Sequence, residues 1–183
     1  DDDQIKSCLW VTKAAIVGPG WILEPGDETT AAEDLATALT AQLVAGGFDD
    51  SVWELLTCLD YGFSVAELVV DVVDGALGFK ALKCRAPHLI DFDQDAFGNL
   101  RQIIQQQGGH RVELPPEKFV LLVNQPEFSN CYGRSLLFAA HKAWWYKGNF
   151  LQWWAMFTEK LAIPPIVGTY KPGGQAQEAA VRA

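Results

Sequence analysis

Three carboxylates stand at alternate positions in "DFDQDAFG": Asp91, Asp93 and Asp95. That spacing opens a calcium loop, in which residues one, three and five supply hard oxygen ligands. Such a loop also needs glycine at its sixth position and a bidentate glutamate at its twelfth, and those places hold Ala96 and Gln102. The stretch therefore reads as an acidic, solvated β-turn. His88, His110 and His141 stand apart, and no Ser, Cys or carboxylate lies near them at a spacing that suggests a triad. Cys8, Cys58, Cys84 and Cys131 form no CxxC pair and have no histidine at ligand spacing. Zinc and redox readings are poor, and buried, reduced thiols are expected. "GRS" at 133–135 lacks the second glycine of a nucleophile elbow, and no Lys-Ser/Thr follows Gly18, Pro19 and Gly20 to make a phosphate loop. The expectation is no catalytic, cofactor-binding or metal-ligating residue, and a protein that is not an enzyme.

The aromatic residues are less ordinary. "NCYGRSLLFAAHKAWWYKGNFLQWWAMFTEKL", residues 130–161, holds four of the chain's seven tryptophans. On a helix at about 100° per residue, Trp144, Trp145, Trp153 and Trp154 point in four directions. Leu136, Leu137, Tyr146, Phe150, Leu151 and Phe157 fill a wide apolar arc with three of them, and Trp145 is stranded among His141, Lys142, Asn149 and Gln152. A helix this apolar must be covered from more than one side, either by the core of its own domain or by neighbouring copies. Trp144, Trp145, Tyr146, Phe150, Trp153 and Trp154 are the candidate interface residues, since large aromatics concentrate at interfaces. His141, Lys142, Lys147 and Asn149 interrupt the stretch too often for a membrane span.

The remaining elements must position that helix. The chain has 183 residues, 49% hydrophobic and 20% charged, enough for one folded domain with an appended element. Its net charge of −9 argues against a basic grip on nucleic acid. Asp1, Asp2 and Asp3 are unlike a secretory leader. The only methionine is Met156, and the end "GGQAQEAAVRA" resembles the start of another helix, so a segment of a longer protein is expected. Apolar spacing predicts a helix over 3–17 stopped by "GPG", then a short strand "WILEP". Two further helices follow, the first with a capping box of Thr30 and Glu33 and a stop at Gly46 and Gly47, the second with Ser51 and Glu54 and a stop at Gly62. A hairpin turning at Asp74 and Gly75, strands on either side of "DQDAFGN" and a strand in "EKFVLLVNQ" complete the reading. Clustered strands between helices make the fold class α+β: N-terminal helices, an antiparallel strand meander, then a long Trp-rich helix.

In this order the phrases resemble a known family, the portal proteins of tailed bacteriophages, specifically of Mu-like phages and prophages. "DDDQIKSCLWVTKAAIVGPGWILEPGDE", "LLTCLDYGFSVAELVV" and "LPPEKFVLL" are similar to its opening, its helix-to-strand phrase and its later strand. The last stretch, "NCYGRSLLFAAHKAWWYKGNFLQWWAMFTEKLAIPPIVGTYKPGG", has its Tyr-Gly-x-Ser-Leu-Leu start, aromatic helix and Pro-x-x-x-Gly-x-Tyr exit. The likeness runs over almost the whole chain. Two places depart from it: Thr12-Lys13 stands where an Arg-Lys pair is expected, and Gly18-Pro19-Gly20 replaces a less glycine-rich turn.

The resemblance implies a homo-oligomer, a dodecameric ring at one capsid vertex, through which double-stranded DNA is packaged and ejected without sequence-specific binding. The implied partners are the packaging motor (terminase), a head-tail adaptor and capsid or scaffold proteins, with no membrane and no cofactor. The implied location is the virion, after assembly in the bacterial host cytoplasm. Residues 1–128 would form a wing-like α+β domain, 129–162 the stem helix and 163–183 the start of a clip. The alternative from the residues alone is a non-viral scaffold or interaction domain that binds a protein partner through the Trp-rich helix.

Overall fold

Asp2 opens the first helix, α1 (Asp3–Val17), by accepting hydrogen bonds from the Gln4 and Ile5 amides at 3.1 and 3.2 Å. The structure is a computed structural model that describes residues 2–73, 75–162 and 168. The chain divides into two units, Asp1–Lys142 and Ala143–Ala183. α1 stops at Gly18, as "GPG" predicts.

The capping reading needs correction at both helices that follow. α2 (Thr30–Ala45) is capped by Thr29 and not by Thr30. Asp27 accepts from both the amide and the hydroxyl of Thr29, which fixes this residue at the cap and places its oxygen on the Ala32 amide. Glu33 is then one residue too late to close a capping box. The next helix, α3 (Phe48–Leu55), starts ahead of Ser51 because Gly47 takes a left-handed conformation, with φ of 67°. Ser51 lies inside it, buried, and its hydroxyl donates to Gly47 O and to Leu82 O on a neighbouring strand. The expected single helix to Gly62 is broken after Leu55, and its remainder is α4 (Cys58–Tyr61). "WILEP" is not a strand. Its backbone joins no ladder, and Trp21 is held by its indole N–H donating to Asp49 Oδ1 at 2.7 Å and by an edge contact with Phe48.

The antiparallel strands expected between the helices are present, and they divide into two three-stranded sheets. β1 (Phe63–Val73) pairs with β2 (Ala76–Arg85) as the predicted hairpin, and β6 (Phe119–Val123) joins the other side of β1. β3 (Ile90–Gln94), β4 (Leu100–Gln107) and β5 (His110–Leu114) make the second sheet. β5, which the sequence reading passes over, hangs on the turn of Gly108 and Gly109, both with positive φ.

Period-two alternation along β1 sorts the core into two layers. Ala66 joins Leu55 and Leu82 under the helices, while Phe63 and Val65 join Ile90 and Ile103 between the sheets. Both faces of β1 are therefore covered over its first half, and Val65 and Ala66 are completely buried. Each large side chain buried in this way contributes about 1.5–3 kcal/mol. Of the four free cysteines, Cys58 and Cys131 are buried and Cys84 is partly so, but Cys8 is exposed, against the expectation that all were buried. Burial raises the Cys58 and Cys131 thiols, and burial with the nearby Glu54 charge pushes Cys84 up to about 11.

Candidate functional site

The long helix, α5 (Leu137–Leu161), begins later than residue 129 because the chain before it is committed elsewhere. Residues 130–136 are locked onto the end of α4 and the first sheet by main-chain bonds. Arg134 N donates to Asn124 O at 2.8 Å, Leu136 N to Leu59 O at 2.9 Å, and Asn124 N to Gly62 O at 2.8 Å. The Asn124 side-chain amide donates to Arg134 O at 2.6 Å. The Ser135 hydroxyl donates to Asp60 O at 2.5 Å and accepts from Leu137 N at 3.0 Å, so it ties the helix start to α4.

Two glycines make this junction possible. Gly62 and Gly133 have φ of 100° and 56°, and their backbones touch: a Cβ on Gly133 would overlap Gly62 O and lie 2.5 Å from Asn124 O, and a Cβ on Gly62 would overlap Tyr132 O. Around them, Tyr132 packs edge-on against Phe63 and Phe92, with ring centroids 5.5 and 5.0 Å away, and its hydroxyl accepts from Phe92 N. Ser64 is buried and donates to Leu55 O at 2.5 Å. The junction thus joins two Tyr-Gly-x-Ser phrases, residues 61–64 and 132–135. Their repetition is the signal by which the sequence could have revealed the contact.

A partly buried ion pair reinforces the junction from α1. Lys13 Nζ donates to Asp60 Oδ2 at 2.7 Å, and Lys13 is only 8% exposed. The other Asp60 oxygen is buried and has no hydrogen-bond partner among the described residues. Sequence reasoning treated Lys13 only as half of a missing basic pair. Its role here is to reach Asp60, whose backbone carbonyl holds Ser135.

The six candidate interface residues lie on α5, and none of its residues is buried. Tyr146 stacks on Phe150 at 6.2 Å, and Phe150 meets Trp153 edge-on at 5.6 Å, which makes a continuous aromatic column at spacings of four and three. Trp145 touches Tyr146, is 51% exposed, and accepts a bond from the Asn149 side chain at its carbonyl. Trp144 and Trp154 are also substantially exposed. Among the described residues, all six of these aromatic side chains are exposed.

The carboxylate and histidine candidates are not brought together. Asp95 organises its own turn, accepting from the Phe97 and Asn99 amides and the Asn99 side chain, and the Asn99 bonds hold its carboxyl below the usual range. Asp91 accepts from Gln106 across the sheet. Among the described residues there is no group of three or more potential metal ligands and no helix long and apolar enough to cross a membrane. The predicted clip start, 163–183, lies outside the described residues apart from Gly168.

The described residues thus form an α+β fold followed by a long aromatic helix, α5. The chain belongs to the family of portal proteins of Mu bacteriophage, which matches residues 1–183. It is accordingly a phage portal protein, a structural component of the phage capsid assembly. A comparison with curated proteins finds no match.

Proposed function

We propose that the chain is a subunit of a ring, dodecameric in its working form, that forms the channel at the capsid vertex for packaging and ejecting DNA and for joining head to tail. Residues 1–128 act as the wing, 129–162 as the stem helix and 163–183 as the start of the clip. The observation that carries this reading is α5 with its start: a 25-residue helix dressed with exposed aromatics, whose first residues are hydrogen-bonded to α4 through Ser135. A ring of identical subunits repeats one heterologous contact, and Trp144, Trp145, Tyr146, Phe150, Trp153 and Trp154 supply its aromatic side. The net charge of −9 lets a polyanion slide past without adhering. The role is mechanical, with nucleotide hydrolysis left to the packaging motor, and the further partners are the head-tail adaptor and capsid or scaffold proteins. Assembly takes place in the host cytoplasm before the ring enters the virion. Negative-stain electron microscopy tests it: rings with a central channel are expected, and a protein that stays monomeric at micromolar concentration would overturn it.

A further inference from the structure

A groove of about 770 Å³ runs between Leu23–Pro25 and α2. Its floor is made of small or short side chains, including Ala36, Thr37, Ala41 and Val44, and Glu33 stands on its wall. Ala41 and Val44 are exposed, so the floor is open to solvent. The chain segment that forms it carries one sign of charge. Glu24, Asp27, Glu28, Glu33 and Asp34 cluster in sequence around it, and no lysine or arginine occurs between Lys13 and Lys80.

α5 has the opposite character on both counts. Its side chains are bulky, and it bears Lys142, Lys147 and Lys160 against Glu159 alone. Of the chain's 23 acidic residues, 21 precede α5. Large aromatic knobs with cations beside them complement a groove of small residues with acids beside it, in the manner of a helix laid into a groove.

We propose that the α2 groove receives the aromatic face of α5 from a second copy of the chain. This rests on the reading of α5 as a contact between copies, and adds the surface it meets. The two patches are different and sit on one chain, so each copy offers one of each and the contact propagates in a single direction, as a ring or filament requires. Opposite charge across the contact makes it weaken as salt screens it.

The test uses the full chain and reads oligomeric state by sedimentation velocity at low and high salt. Glu24→Lys with Glu33→Lys reverses the groove, and Lys142→Glu with Lys147→Glu reverses the helix; all four sites are exposed. Each double variant alone is expected to weaken association about tenfold or more, and an equimolar mixture of the two is expected to restore it. Ala41→Trp, which fills the groove from the surface, is expected to block assembly with the unfolding midpoint unchanged. Failure of the mixture to restore assembly overturns the proposal. If Trp145→Glu disrupts assembly but the groove variants do not, the groove is wrong and the helix contact stands. If Trp145→Glu also leaves assembly intact, both readings fall. A chain that stays monomeric and takes up only a different protein also overturns it.

Discussion

Gly62 and Gly133 occupy conformations that an L-residue resists, and their missing side chains are where two backbones meet. Alanine at either site combines a positive φ with overlap against main-chain oxygens that cannot move aside. Gly62→Ala and Gly133→Ala are each expected to destabilise the fold by about 2 kcal/mol or more in urea titrations. Gly148, inside α5 with nothing near the position of its Cβ, is the contrast. Gly148→Ala should raise helical stability by about 0.5–1 kcal/mol, since only backbone entropy is at stake. The Lys13–Asp60 pair gives a second residue-scale test. Lys13→Met leaves a partly buried carboxylate without its cation and should cost about 1–3 kcal/mol, whereas Lys13→Met combined with Asp60→Asn should cost less than that single change. If the double variant is the less stable, the pair is not what holds α4. The sequence shows these residues plainly, but a glycine's φ and a lysine's partner 47 positions away are set by packing, which no local pattern encodes.

Elements were legible where one strong local signal sufficed. The "GPG" stop, the pairing of β1 with β2 and the strand after the double proline were of this kind. They were misread where two signals competed. Thr29 and Thr30 are equivalent as caps until Asp27 claims the first, and Ser51 looks like a cap until Gly47 starts the helix ahead of it. "WILEP" has strand composition, yet side-chain anchoring of Trp21 holds it outside both sheets. At this scale the packing of α3 on β2 is open to a pH test through Cys84, whose sulfur sits against Ser51 O. Burial, with the Glu54 charge added, raises its folded pKa from 9.0 to about 11. A raised pKa means that the folded state keeps its proton longer than the unfolded chain. The stabilisation is therefore complete below pH 9 and fades as pH rises toward 11. The urea midpoint should fall across that interval, and Cys84→Ala should flatten the fall; an unchanged slope would contradict the assignment.

On the scale of the whole molecule, the division of labour follows from where burial is complete and where it is not. Between the helices and the two sheets, residues 3–136 close a core around Val65, Ala66 and Ile103, while α5 keeps its aromatic side chains in the open. The class of fold and the aromatic helix were both readable from sequence. The split of the strands into two sheets was not, because β6 adds to β1 from far along the chain. Trp145 is where the account is most exposed to refutation. It stands among His141, Lys142, Asn149 and Gln152 in sequence, half exposed, with Tyr146 as its ring contact among the described residues. Native mass spectrometry of the protein beside its Trp145→Glu variant decides the matter. A closed oligomer is expected for the first and a folded monomer with an unchanged unfolding midpoint for the second; the same oligomer from both would overturn the role assigned to Trp145.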